Sequence, residues 1–167
     1  MVSNTELAEF MLKVILANKE IDEYCKEHFN TSLLLLVGVD VNNAPQDDEM
    51  PILILEPVVK NLGAQSDFEY EFLLKLALKG GKEPKLGNDG VLRYEGIYQI
   101  EALGNLIAAT IEKAINCQTN IDTSEVSFYH DEIAYFPLYS GTIIINFSLP
   151  KVIGDRQLRL SYTQGEQ

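Results

Sequence analysis

Four scarcities bound the reading of this chain. It has no tryptophan, two cysteines (Cys25 and Cys117) and two histidines, and its 13 basic residues are outnumbered by 25 acidic ones, for a net charge of −12. Two cysteines are too few for a disulfide-stapled secreted fold, and a 167-residue chain is long enough to build its core without such staples. A duplex binder gains most of its affinity by releasing counterions from phosphates, and a chain this acidic is repelled instead. No run of Lys and Arg forms a local exception, so specific nucleic-acid binding is not expected. No stretch approaches the ~20 apolar residues needed to span a bilayer. Residues 1–6 lack the basic start and apolar run of a secretory leader. The expectation is a reduced, cytoplasmic protein without a membrane role.

What is present is ordinary for a globular domain: 46% hydrophobic and 23% charged residues. Residues 1–163 read as a single domain, with 164–167 a frayed tail. Ser3 and Glu6 fit a capping box. Beyond them Leu7, Phe10, Met11, Val14, Ala17, Ile21, Tyr24 and Cys25 recur at helical spacing, which predicts one amphipathic helix ending near Phe29 and Asn30.

"TSLLLLVGV" (31–39) suits a strand buried on both faces. "PILILEPVV" (51–59) reads as a second strand, with Pro57 pushing its far end toward an edge or bulge. Residues 68–78 alternate, Phe68, Tyr70, Phe72, Leu74, Leu76 and Leu78 against Glu69, Glu71, Lys75 and Lys79 beyond, broken only by Leu73 and Ala77 on the polar face. A second helix is expected over 94–116, with Ile97, Ile100, Leu103, Ile107, Ile111, Ala114 and Ile115 as its core stripe. The small Ala102, Gly104, Ala108 and Ala109 would allow it to pack closely on a sheet. Strands are expected at 125–135 and 141–149, and a weaker alternation at 156–162 would add an edge strand. The order α-β-β-β-α-β-β argues α+β with a mostly antiparallel sheet.

The motifs of common chemistries fail on inspection. "GGKEPKLGNDG" resembles a phosphate cradle, but Glu83 stands where a P-loop needs Ser or Thr. The glycines at 80, 81, 87, 90 and 96 do not fit the dinucleotide pattern either. The stretch reads as an exposed, mobile arm of roughly fourteen residues between strand and helix. Cys25, His28, Cys117 and His130 lack the paired-knuckle spacing of a zinc site. The acidic loop with Asp40, Asn42, Asn43, Asp47, Asp48 and Glu49 has Ala44 and Pro45 where an EF-hand needs an oxygen ligand and a glycine, so it reads as a solvated hairpin tip. His130-Asp131-Glu132 is the one titratable cluster suited to general base work. With Ser127 the sole nearby nucleophile and no nucleophile elbow, it reads as a polar turn. No catalytic residue, cofactor or metal is expected. The eight tyrosines and seven phenylalanines, several near Tyr129, Tyr135, Phe136 and Tyr139, suit interfaces and sheet cores alike.

In the order of its elements the chain resembles the tailed-phage tail-terminator, or tail-completion, family. The correspondence covers residues 3–149: helix 5–27, strands 31–59, the alternating strand 68–78, the arm 80–90, the helix 94–116 and the closing strands 125–149. "AYFPLYSGTIIINFSLPKVIG" (134–154) is similar in style to the last strand of such proteins. The resemblance implies a homo-oligomeric ring, usually a hexamer, that caps the tail tube and docks to the head-completion protein. It implies a virion protein, assembled in the cytoplasm of the bacterial host. It brings no catalytic residues, and an acidic lumen would let DNA slide without binding. The residues expected at interfaces are Asp47, Asp48 and Glu49 of the acidic loop, Lys82, Lys85 and Asp89 of the arm, and Glu69, Glu71 and Lys75 on the polar side of the long strand. The alternative is an acidic bacterial adaptor or immunity-type protein that recognises a basic partner.

Overall fold

The computed structural model describes residues 3–40, 42, 45–61, 67–81, 83–118, 121, 123–131 and 136–150. The expected edge strand at 156–162 and the tail at 164–167 lie outside them.

The fold is α+β, with three helices packed on a mostly antiparallel five-stranded sheet among the described residues. At the start of α1 (Asn4–Ala17) the Ser3 hydroxyl accepts from the Glu6 amide at 3.1 Å, and the Glu6 carboxylate accepts from the Ser3 amide at 2.7 Å. The capping box is therefore formed, each side chain satisfying a backbone donor that the first helical turn leaves open. The expected single helix is broken, however. Asn18 adopts an extended conformation and caps a second helix, α2 (Lys19–Phe29), by accepting from the Glu20 amide at 2.9 Å. The Asn18 side-chain Nδ2 also donates to the Thr110 hydroxyl of the long helix at 2.8 Å. An Asn side chain that bonds locally competes with helical continuation, so the chain turns here. Helix α2 ends at Asn30, whose positive φ of 58° is tolerated by asparagine.

The sheet order is β1 (Leu34–Val37), β2 (Ile52–Asn61), β3 (Asp67–Lys79), β7 (Leu138–Pro150), β6 (Thr123–His130). Between β3 and the long helix α3 (Glu95–Asn116), a separate hairpin pairs β4 (Lys85–Leu86) with β5 (Leu92–Arg93). All pairings of the main sheet are antiparallel except β1 with β2, which run parallel with Leu34 opposite Ile52. The β2–β3 register shifts between Pro57 and Val59, as expected for a proline that cannot donate to the ladder.

Two expectations are corrected here. Among the described residues β1 is a half-buried edge strand, not one buried on both faces. A leucine run has no periodicity to reveal which side is covered, and only the topology leaves this one at the border. The acidic loop is not a hairpin tip, because it joins parallel strands and must run back along the sheet before β2 begins.

The core lies between one face of the sheet and helices α1 and α3. Phe72, Leu74, Leu76 and Leu78 of β3 meet Ile143 and Ile145 of β7, with Phe147 stacked on Tyr70 and Phe72 at 5.3 and 6.1 Å. Each such buried side chain contributes about 1.5–3 kcal/mol relative to exposure. Helix α3 faces this layer with Ile100, Leu103, Ile107, Ile111 and Ile115. Of its small residues, Gly104 and Ala108 are buried against the sheet while Ala102 and Ala109 are exposed. Ile97, expected in the core stripe, is 44% exposed.

Candidate interaction surface

The arm is the most individual feature of the molecule. "GNDG" (87–90) closes the hairpin: the Gly90 amide donates to the Gly87 carbonyl at 3.0 Å, the Gly87 amide to Val91 at 2.9 Å, and Gly90 takes a φ of +77° that suits glycine. Asp89 receives both ends of the Arg93 guanidinium, at 2.9 and 2.5 Å, and the Val91 amide at 3.1 Å. These donors, Arg93 foremost, hold the Asp89 carboxyl at about 2. Lys85 then ties the hairpin to α3 through Glu95 at 2.7 Å. The expected loose arm is thus a bonded β-hairpin, built because an Asn-Asp-Gly turn flanked by Lys85-Leu86 and Val91-Leu92 carries the local turn chemistry.

The hairpin presents apolar residues outward. Leu86 and Leu92, paired across it, are 69% and 56% exposed. Val91, Tyr94, Ile97 and Tyr98 continue this exposed surface along the chain into the first turn of α3. Phe136, at the approach to β7, joins it edge-on against Tyr94 at 5.5 Å. Just beneath, the Gly80 amide bonds the Pro137 carbonyl at 2.9 Å, and Tyr139 is buried against Gly80 and Gly96. Two glycines let the base of the hairpin, the helix start and β7 converge on one ring. The outcome is an apolar, aromatic knob at one end of the sheet.

The sequence-derived interface residues are distributed differently. Asp47, Asp48 and Glu49 form a single exposed 3-10 turn; Asp47 pairs with Lys79 at 3.3 Å, and Glu49 accepts from the Gln46 amide at 2.7 Å. Lys85 and Asp89 sit in the hairpin, engaged as above. Lys82 lies outside the described residues. Lys75, on the sheet face away from the helices, pairs with Glu56 at 3.1 Å. Glu71 and Glu69 continue that face, opposite Asn146 and Ser148 of β7. Asp47 joins the acidic turn to the end of the long strand through Lys79, and ion pairs within the chain also engage Lys75, Lys85 and Asp89. Sequence reasoning missed the knob because it assigned Ile97 to the core and read the arm for its lysines rather than its leucines.

The titratable candidates are dispersed as well. Cys25 is fully buried on α2, its thiol pushed up to about 11 by burial first and by nearby Asp22 second. His28 lies beside Tyr24, with ring centroids 4.3 Å apart, and Cys117 is exposed beyond α3. His130 stands edge-on to Phe128 at 5.2 Å, while Asp131 accepts from the hydroxyls of Ser140 and Thr142. Glu132 lies outside the described residues. Among the described residues, no three His, Cys, Asp or Glu side chains group to hold a metal ion, and no helix is long and apolar enough to cross a membrane.

Compared with known proteins, the chain matches no protein-family model and no curated protein.

Proposed function

We propose that this chain is a non-enzymatic virion assembly protein of a phage or prophage, which self-associates into a ring that terminates the tail tube and docks to the head-side connector. The observation that carries the reading is the exposed knob of Leu86, Leu92, Tyr94, Ile97, Tyr98 and Phe136. Apolar surface rich in tyrosine and phenylalanine is costly to leave in water, and it is characteristic of protein interfaces. The α+β architecture, with an arm between the alternating strand and the long helix, supports the tail-terminator form of that reading. A net charge of −12 suits a passage for DNA, which the lumen must not hold.

Light scattering after size exclusion, across a concentration series of the purified chain, tests the self-association. A closed ring, or a monomer that becomes one as concentration rises, is the expected result, followed by capture of the tail tube protein. A monomer at every concentration overturns the ring. The acidic charge would then favour an adaptor or immunity-type protein with a basic partner.

A further inference from the structure

Asp89-Gly90 is the sole Asp-Gly pair in the sequence, and no Asn-Gly pair accompanies it. Glycine has no Cβ, so its amide nitrogen is little hindered and can approach the side chain before it. That nitrogen can attack the Cγ of a preceding aspartic acid. The N–Cγ bond forms, the carboxyl OH departs with the amide hydrogen as water, and a five-membered succinimide results. Water then opens the ring. Opening at Cγ restores aspartate, while opening at the main-chain carbonyl leaves an isoaspartyl residue whose backbone runs through Cβ and Cγ. One water leaves and one returns, so mass and oxidation state are unchanged.

The closed hairpin engages both reacting groups elsewhere. Asp89 Oδ1 accepts from Arg93 Nη1 at 2.9 Å and from the Val91 amide at 3.1 Å, and Oδ2 accepts from Arg93 Nη2 at 2.5 Å. These donors favour the carboxylate, whereas loss of water from Cγ needs the protonated acid. The Gly90 amide is meanwhile bonded to the Gly87 carbonyl at 3.0 Å. The protection is local, because each strand of the hairpin is only two residues long and a hairpin without a wider sheet is marginal in water. The Asp89 side chain is 51% exposed, so water reaches the site.

We propose that Asp89-Gly90 is a site of spontaneous isomerisation through a succinimide, and that the two-pronged grip of Arg93 keeps it in the aspartyl form. Isomerisation lengthens the backbone of the turn by one methylene, which breaks the register that sets Leu86 opposite Leu92. The knob therefore ages at this one bond. The proposal stands whether or not the chain forms a ring.

The test incubates full-length wild type, Arg93→Gln and Lys85→Gln in mildly acidic buffer, each with its thermal melt checked by circular dichroism. Isoaspartate at position 89 is read by chromatographic separation of the equal-mass peptides and by methyl transfer from an isoaspartyl methyltransferase. Folded Arg93→Gln is expected to accumulate it several-fold faster than wild type. Lys85→Gln, which frees the arm from Glu95 but leaves the grip on Asp89, is expected to match wild type. In guanidinium, where the grip is gone, wild type and Arg93→Gln are expected to react alike. If folded Arg93→Gln is no faster than wild type, Arg93 is not the guard. If Lys85→Gln accelerates as much as Arg93→Gln, looseness of the arm sets the rate and the proposal falls. If the unfolded chain yields no isoaspartate at 89, the site does not exist.

Discussion

The ring of Tyr139 occupies the space in which a side chain on Gly96 would stand: a Cβ there would lie 2.2 Å from it. A Cβ on Gly80, just past the end of β3, would lie 2.6 Å from the same ring. Tyr139 is itself only 4% exposed, so it has little room to withdraw. Gly96→Ala is therefore expected to lower stability by about 1–3 kcal/mol through overpacking, against a helix-propensity gain of at most ~1 kcal/mol. Urea denaturation reads the loss directly. The same substitution in a Tyr139→Leu background is expected to cost less, and an equal cost in both would show that the ring is not the obstacle.

Asn18 joins two helices and holds the joint to α3 through Thr110. Replacing it with alanine removes an N-cap and a tertiary hydrogen bond together, and is expected to cost about 1–2 kcal/mol. Thr110→Val removes the tertiary bond and leaves the cap, and it also deletes the hydroxyl's own bond to the Leu106 carbonyl at 2.7 Å. A double-mutant cycle in urea isolates the Asn18–Thr110 contribution, and the rest of the Asn18→Ala loss measures the cap. If Asn18→Ala costs nothing, the break between α1 and α2 is set by the surrounding packing.

The two thiols differ in environment and should differ in reactivity. Cys117, exposed beyond α3, is expected to react with a thiol reagent in the native state, while Cys25 reacts only after denaturation. A folded pKa raised from 9.0 to about 11 means that the folded state keeps the Cys25 proton longer than the unfolded chain does. Its contribution to stability is accordingly whole below pH 9 and is lost as pH rises towards 11. A chemical-denaturation series over that range should fall in the native Cys25 chain and fall less in Cys25→Ala.

The Asp89–Arg93 pair has the opposite sign. With its carboxyl held at about 2 rather than 3.8, Asp89 supports the hairpin above pH 3.8, and the support is lost as pH falls towards 2. The pair is exposed, so its effect belongs to the arm and not to the core. Asp89→Ala is expected to quicken amide exchange in the 85–93 hairpin several-fold while leaving the global melting temperature unchanged. Slow exchange in the variant would mean that the Gly87 and Gly90 hydrogen bonds hold the turn unaided.

Much of the secondary structure was legible because it is written in local periodicity. The Phe68–Leu78 alternation, the Ser3–Glu6 cap and the stop at Asn30 involve neighbours within a few residues, and each sits in the structure as its spacing predicts. The break at Asn18 had a readable signal too, an asparagine followed by Glu20 and Asp22 in the next helix's first turn. An apolar stripe continuing across it concealed that signal. The hairpin at 85–93 was likewise written in "GNDG", and was obscured by attention to its lysines.

The candidate site was much less legible. Ile97 has the spacing of a core residue, and only the meeting of the hairpin, α3 and Phe136 leaves it on the surface. Lys75 pairs with Glu56, Lys79 with Asp47 and Lys85 with Glu95, partners that the spacing of charges along the chain does not name. By itself the sequence determined the elements, the acidic character and the residues available for a core, because propensity and periodicity act over short separations. Only the tertiary structure decided the parallel β1 edge, the ion pairs and the knob. Those depend on contacts between segments distant in sequence, which no local pattern encodes.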